Sequence, residues 1–238
     1  MELLALLFFV SWIAATISGA AGFGGALLLL PILTNTLGVK AAIPVLTIMQ
    51  LLGNLSRVWF GRTEISWKPV GYFLLGALPL SVVGSLLFTG LPADYLTRGI
   101  GVLLLCIVAL RRFGQTTFIT SEAGFVAGGG ATGFLSGVAG SAGPLGAALF
   151  LGLNIPAVAY VASEAVTASA MHLTKIVVYQ RYALIGAQEL QYGLFLGSAM
   201  ILGSWTGKQV IERLPKATFR CFVEILLVVS AIQLLFFA

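Results

Sequence analysis

Two glycine-rich stretches and two sets of polar side chains stand out in an otherwise apolar sequence as the groups that could do chemistry. Residues 18–25 return as residues 136–143, at an offset of 118. Each copy interrupts a long apolar run, and a helix that breaks inside a membrane must find other partners for its freed backbone groups. Such breaks at corresponding places in two halves are typical of the ligand sites of membrane transporters.

In each copy an apolar run resumes directly after the last glycine, which predicts that a half-helix begins there. Pro144 supports this in the second copy, because proline is favoured in the first turn of a helix. The free N–H groups and the dipole of a helix N-terminus attract an anion. The alternative is close helix packing, for which small residues are also used in lipid. The residues predicted to bind the anion are Gly22, Phe23, Gly24, Gly25, Gly140, Ser141, Ala142 and Gly143.

The apolar segment that follows the first break carries Gln50, Asn54 and Arg57 on one helical face. Polar groups inside a span rarely face lipid and usually point into the bundle or a cavity. We therefore expect Gln50 and Asn54 to donate hydrogen bonds to an anionic substrate. Arg57 lies near the end of its segment, where its side chain either attracts the anion or extends to the membrane interface.

The corresponding face in the second half carries Glu164, His172 and Lys175. His172 is the only histidine of the chain, and it can bind the substrate or titrate. Glu164 lies well inside its apolar segment and can carry a coupling proton. The alternatives are an interhelical hydrogen bond for His172 and a structural pairing of Glu164 with Lys175 or a backbone amide. Lys175 has the same two interpretations as Arg57, anion attraction or an interfacial position.

The composition predicts a protein that lies almost entirely in the lipid bilayer. Of 238 residues, 59% are hydrophobic and 9% are charged, with a mean hydropathy of +1.04. A soluble domain carries about 25% charged residues. The net charge of +5 comes from short loops, so we interpret it as a topology signal and expect no nucleic-acid partner.

The motifs of common soluble enzymes are missing from the sequence. There is no HExxH, no GxxxxGK[ST] and no CxxC, and the two cysteines, Cys106 and Cys221, lie in apolar segments. We therefore expect no catalytic residues, no metal site and no cofactor, and we expect the protein not to be an enzyme.

The repeat extends well beyond the glycines and divides the chain into two membrane units, residues 1–119 and 120–238. The run from Asn54 to Val58 matches the run from His172 to Ile176 at the same offset of 118. Self-similarity at this scale indicates duplication of one unit. Each unit reads as four apolar segments, and the eight segments are about 3–33, 39–60, 69–90, 95–112, 124–153, 156–179, 190–207 and 217–237.

The first segment of each unit is too long for one span, and two arrangements account for it. It is either one broken spanning helix or a re-entrant hairpin of two half-helices. If all eight segments span, the Lys and Arg residues divide seven to six between the two sides; if the two long segments are re-entrant, they divide nine to four. The positive-inside rule favours the second arrangement. Three full spans per unit then make the two units inverted repeats of an all-α polytopic membrane protein.

The chain resembles the TauE/SafE family of sulfite exporters, also called the TSUP family, over essentially its whole length. In that family each half opens with a glycine-rich stretch, followed by a proline, a helix rich in small residues and a short basic loop. Here residues 19–25, Pro31 and residues 41–62 fit this pattern. The second copy departs from it, with Ser141 and Ala142 in place of glycines and Leu149 in place of the proline. The resemblance implies transport of sulfite, thiosulfate or a short organosulfonate.

From these observations we expect a secondary transporter of a small anion, with a multi-pass location in the bacterial inner membrane. Its partners would be the anion, the lipid bilayer and, through Glu164 or His172, a coupling proton; a homo-oligomer is compatible with the sequence. A passive anion channel with the same pore is the second hypothesis, and a membrane scaffold whose glycines only pack helices is the third.

Cysteine accessibility tests the inverted arrangement. In a background without Cys106 and Cys221, Thr36→Cys and Asn154→Cys should react with a membrane-impermeant thiol reagent from opposite faces of the membrane, because the two positions follow corresponding segments of inverted units. Labelling of both positions from the same face would exclude the inverted arrangement.

Overall fold

The computed structural model describes residues 2–23, 25–88, 121–215, 217–219, 221–222 and 225. All regular structure in these residues is helical. Gly24, the predicted segment 95–112, most of segment 217–237 and the boundary between the two predicted units lie outside the described residues. In chain order the helices are α1 (Glu2–Ala21), α2 (Gly25–Leu37), α3 (Val39–Phe60), α4 (Trp67–Phe88), α5 (Glu122–Ala139), α6 (Gly143–Leu151), α7 (Ala157–Arg181) and α8 (Ala187–Ile211).

Both long apolar segments break at their glycines. Helix α1 ends at Ala21, and Gly22 follows with a φ of 84°; α5 ends at Ala139, and Gly140 follows with a φ of 77°. Left-handed glycine at this position is a common way to end a helix, because glycine has no Cβ to clash. Helix α6 then begins at Gly143 with Pro144 in its first turn, as the sequence predicts.

Three helices among the described residues are long and apolar enough to cross a membrane: Glu2–Ala21, Ala41–Phe60 and Trp67–Phe88. Helices α7 and α8 have 25 residues each, which corresponds to about 37 Å. Their average apolarity is lower because each combines an outer apolar face with small or polar residues that pack inside the protein. Eight of the buried residues of α7 are polar, charged or aromatic with a hydroxyl: Tyr160, Ser163, Glu164, Thr167, Ser169, His172, Lys175 and Tyr179.

Each half opens with a helical hairpin whose tip is the glycine break. In the first half, a Cβ on Gly25 would lie 3.2 Å from the Cβ of Ser18 and 3.4 Å from the carbonyl oxygen of Ala14, so α2 returns alongside α1. In the second half, Gly128 of α5 lies against the side chain of Leu149 near the end of α6. Helix α6 therefore returns alongside α5 in the same manner.

The contacts between helices are conserved when the two halves are exchanged. The contact of α1 with α8 corresponds to the contact of α5 with α4. The contact of α3 with α8 corresponds to that of α7 with α4, and the contact of α2 with α3 corresponds to that of α6 with α7. The contact between α3 and α7 maps onto itself. These pairings group α1, α2, α3 and α8 into one bundle and α5, α6, α7 and α4 into another. We call them bundle A and bundle B; each contains three helices of one half and the fourth helix of the other.

The corresponding helices α3 and α7 run in opposite directions where the bundles meet. Gly61, at the C-terminal end of α3, lies against Val158 and Ala162 near the start of α7. At the other end, Ile48 of α3 and Gln180 of α7 line one groove. The two helices are therefore antiparallel at this contact.

Glycines allow the helices within each bundle to pack at very short distance. In bundle B, a Cβ on Gly133 of α5 would lie 2.7 Å from the Cα of Ala77 and closer still to the Ala77 carbonyl oxygen. In bundle A, a Cβ on Gly203 of α8 would lie 2.5 Å from the carbonyl oxygen of Trp12. Close helix packing was the alternative interpretation of the glycine motifs. It holds for one glycine of each motif, because Gly19 and Gly137 also lie against the backbone of a neighbouring helix.

Alanine substitutions at two glycines of the adjacent helices α5 and α4 should separate two effects on stability, the loss of close packing and the gain in helix propensity. Gly133→Ala should lower stability by about 1–3 kcal/mol, because its methyl group would overlap the α4 backbone. Gly71→Ala on α4 is the matched control, since a Cβ there has open space around it. Thermal unfolding of the detergent-purified variants measures the difference, and equal melting temperatures would contradict the packing.

Candidate functional site

A small cavity of about 30 Å³ lies between the two bundles, where the hairpin tips approach α3 and α7. A volume of this order admits one or two water molecules. Residues of both halves line it, and most of the predicted site residues are among them. The lining consists of Ser18, Gly22, Phe23, Ala26, Gln50, Asn54, Arg57, Ser136, Ser141, Ala142, Gly143, Glu164, Ala168, Met171 and His172.

The two glycine breaks meet at this cavity. A Cβ on Gly143 would lie 3.4 Å from the Cβ of Phe23, so the start of α6 contacts the tip of the first hairpin. We call α3 the hub helix of bundle A and α7 the hub helix of bundle B. Each tip also packs on the hub helix of the other bundle: Gly22 lies against Tyr160 of α7, and Gly140 lies against Ile43 of α3. The first turns of α2 and α6 both reach this cavity, through Ala26 and Gly143.

The polar face of α3 lines the cavity as predicted from its spacing. Gln50 and Asn54 are 4% and 1% exposed. Gln50 Nε2 would lie 3.3 Å from a Cβ on Gly25, which places the amide against the start of α2. Within the described residues, Gln50 Nε2 has no hydrogen-bond partner. Buried polar groups in folded proteins are nearly always hydrogen-bonded, so an unpartnered donor that faces a cavity indicates a place for a ligand or water.

Arg57 holds the first hairpin tip to α3. Its Nη1 donates to the carbonyl oxygen of Gly22 at 2.8 Å and to that of Ser18 at 3.2 Å. Its Nη2 donates to Asn54 Oδ1, and its Nε donates to the carbonyl oxygen of Gly53 at 3.4 Å. Because Asn54 accepts through Oδ1, its amide NH₂ group is the part that can donate elsewhere. Arg57 therefore supports the tip and also orients a side chain of the site.

Lys175 has the same role in the second half. Its ammonium donates to the carbonyl oxygen of Gly140 at 2.6 Å and to Ser136 Oγ at 3.2 Å. The three residues match Arg57, Gly22 and Ser18 at the offset of 118. Arg57 and Lys175 are 5% and 0% exposed, so the interfacial position that the sequence left open for them is wrong. Their bonds go to helix ends because the last carbonyls of a helix have no partner within it.

The polar face of α7 contributes an acid and an imidazole to the same cavity. Glu164 and His172 are 3% and 6% exposed. Glu164 Oε2 and His172 Nδ1 have no hydrogen-bond partner within the described residues. The ion pairs found in this part of the chain join Lys68 to Glu122 and Lys208 to Glu212. The alternative pairing of Glu164 with Lys175 is therefore wrong.

The structure brings the predicted site residues together with few differences. Gly25, Gly140 and Lys175 lie behind the cavity wall rather than in it, and Gly24 lies outside the described residues. Met171, Ala26 and the neighbouring Tyr160 were not predicted. Tyr160 lies one helical turn before Glu164 on the same face, so its spacing in the sequence could have predicted that it lies near the cavity. No such pattern in the sequence points to Met171 or Ala26.

Long apolar helices that enclose buried hydrogen-bonding groups are typical of a polytopic membrane protein. The chain matches the family described as sulfite exporter TauE/SafE over residues 7–234 of 238, and it belongs to that family. The family comprises membrane transporters rather than enzymes, so the protein is an integral membrane transporter. No curated protein and no solved structure matches the chain.

Removal of the Arg57 side chain should destabilise the fold. Arg57→Ala leaves the carbonyl of Gly22 without this donor, whereas that of Ser18 still accepts from the Gly22 N–H, and a buried unsatisfied group costs about 1–3 kcal/mol. Arg62→Ala is the matched control, because Arg62 is exposed and its guanidinium rests on the Trp59 ring. Thermal unfolding should show a clearly lower melting temperature for Arg57→Ala only; identical values would refute the structural role of Arg57.

Proposed function

We propose that the protein is a secondary transporter that binds a small sulfur-containing anion between its two bundles. One observation carries the proposal. Within the described residues, three buried polar atoms that lack hydrogen-bond partners, Gln50 Nε2, Glu164 Oε2 and His172 Nδ1, belong to side chains that line one cavity. A protein does not leave three such atoms together without a ligand or water to satisfy them.

The surroundings of the cavity favour an anion. The N-terminal ends of α2 and α6 supply backbone N–H groups and the positive ends of two helix dipoles. Gln50, Asn54 and His172 complete the set of donors around the anion. Arg57 and Lys175 add positive charge close by, although their hydrogen bonds go to the hairpin tips. In this proposal both cations attract the anion electrostatically, and neither ligates it.

Sulfite, thiosulfate and a short organosulfonate are the proposed substrates. Membership of the sulfite exporter TauE/SafE family supports the sulfur atom, and the donor-lined cavity supports the anionic oxygens. The cavity of about 30 Å³ is smaller than these anions require, so in this proposal the bundles separate slightly to admit them. We place the protein in the inner membrane of a bacterium.

We propose that the two halves are inverted repeats in the membrane. The opposite directions of α3 and α7 support this. These helices occupy corresponding positions in the two halves, and corresponding helices that cross a membrane in opposite directions belong to inverted repeats. The hairpins α1–α2 and α5–α6 would then be the re-entrant elements that enter from opposite sides. The excess of basic residues on one side in this arrangement is independent support.

Alternating access would result from movement of bundle A against bundle B. The moving units are the bundles and not the halves of the chain, because α8 packs on α1 and α3, and α4 packs on α5 and α7. The glycine contacts inside each bundle leave little room for sliding. The contact of α3 with α7, together with the hairpin tips, is the surface that can open, and the cavity lies in it. Glu164 or His172 would couple this opening to a proton.

Flux measurements in proteoliposomes test the site. Asn54→Ala and His172→Ala should each reduce saturable sulfite flux at least tenfold, the change expected for about 1.4 kcal/mol of lost interaction. Asn35→Ala on the exposed side of α2 is the matched control and should keep wild-type flux.

Two outcomes would count against the proposal. Unchanged flux in both site variants would show that the site is wrongly assigned. Flux without saturation or counterflow would favour a passive channel over a carrier.

A further inference from the structure

Glu164 is the one carboxylate of the described site, and its position is at odds with simple anion binding. Its Oε2 has no partner in the described part of the chain, and its Oε1 lies 3.7 Å from the position of a Cβ on Gly146 of α6. The side chain shares a cavity of about 30 Å³ with Gln50, Asn54 and His172. An anion in this cavity would be in direct contact with the carboxyl group.

Two acceptors in contact require a proton between them. An ionised carboxylate and the deprotonated oxygens of an oxoanion both only accept hydrogen bonds, and like charges at contact distance in a buried site repel strongly. A protonated carboxyl group instead offers an O–H donor to the anion. Binding of the anion beside Glu164 and binding of one proton are therefore the same event.

The other charged and titratable groups around Glu164 do not remove this requirement. Arg57 faces the cavity from α3, but its guanidinium donates to Gly22, Ser18 and Asn54. On α7 itself, His172 lines the cavity, Lys175 donates to Gly140 and Ser136, and Tyr160 lies one turn away. The described lining residues of α1, α2, α5 and α6 carry no charge.

We propose that the protein is a proton–anion symporter in which Glu164 carries one proton per anion in the same cavity; this inference rests on the proposed transport function. When a proton enters, an O–H bond forms on the Glu164 carboxyl and donates to the anion. On the other side that O–H bond breaks and the proton leaves with the anion. Gln50, Asn54 and His172 bind the anion, and Glu164 alone couples it. An antiporter would need proton and anion to exclude each other from the cavity, and here each stabilises the other.

Sulfite uptake into proteoliposomes under an imposed pH gradient tests the coupling, with protein-free liposomes subtracted for passive entry. For symport, an alkaline interior should accelerate the initial rate of protein-mediated uptake, and an acidic interior should slow it. At equilibrium one coupled proton supports about tenfold accumulation of a monoanion per pH unit when the process is electroneutral. Glu164→Gln keeps an amide donor toward the anion but cannot release a proton, so it should keep sulfite counterflow and lose the response to the gradient.

Glu64→Gln, in the exposed turn after α3, is the matched control and should respond like the wild type. Wild-type uptake that ignores the gradient, or that an acidic interior accelerates, would overturn the symport, and so would a full response in Glu164→Gln. If Glu164→Gln shows no counterflow, Glu164→Asp is used in its place. Because Asp keeps a carboxyl group, this variant should retain the response to the pH gradient. A Glu164→Asp variant with intact counterflow and no response to the gradient would contradict the inference. Absence of saturable sulfite counterflow in the wild type would instead refute the proposed transport function itself.

Discussion

The site depends on one repeated interaction, the hydrogen bonds from a buried cation to the carbonyl oxygens at a left-handed glycine. Each hairpin tip ends a helix among buried residues, where the last carbonyl groups have no partner within the helix. Arg57 and Lys175 supply the missing donors to Gly22 and Gly140. Both tips are thereby held against their hub helices, and the starts of α2 and α6 are held at the cavity. Without these two cations, neither the helix ends nor the donors of the site would have a defined position.

The same scaffold carries different chemistry in its two halves. In the first half the hub helix presents two amides and an arginine that makes four hydrogen bonds. In the second half it presents an acid, an imidazole and a lysine that makes two. Arginine is planar with five donors, so it can join the tip to Asn54 at the same time, which a lysine cannot do in that geometry. Both halves therefore support their tips with a buried cation, and they differ in the side chains that face the cavity.

The small residues of the chain separate what stays rigid from what can move. Inside each bundle, glycines of α5 and α8 contact the backbone of α4 and α1 directly, and close-packed backbones of this kind do not deform easily. Between the bundles, the contact is made by side chains, by the two hairpin tips and by α3 against α7. Three buried polar atoms without a partner among the described residues, on Gln50, Glu164 and His172, belong to side chains at this contact. A membrane transporter needs such a division, because its binding site has to open while its helices stay intact.

Much of this architecture could be predicted from local patterns. The glycine motifs predicted both helix breaks, Pro144 predicted the start of α6, and the spacing of Gln50 and Asn54 predicted one buried polar face. These features depend on backbone geometry and helical periodicity, which neighbouring residues determine. The repeat and the family could be identified from the residue order alone.

Only the tertiary structure decided what the charged residues do and which elements form a unit. Arg57 looked like an interfacial or anion-attracting residue because sequence position shows that a cation lies near a helix end, but not that a carbonyl 35 residues earlier is its partner. The exchange of α4 and α8 between bundles, and the meeting of Phe23 with Gly143, likewise depend on contacts between distant segments. The sequence by itself thus determined where the helices break and which faces are polar. Packing decided which of those faces meet, because long-range contacts follow from the shape of the whole assembly of helices and have no local signal.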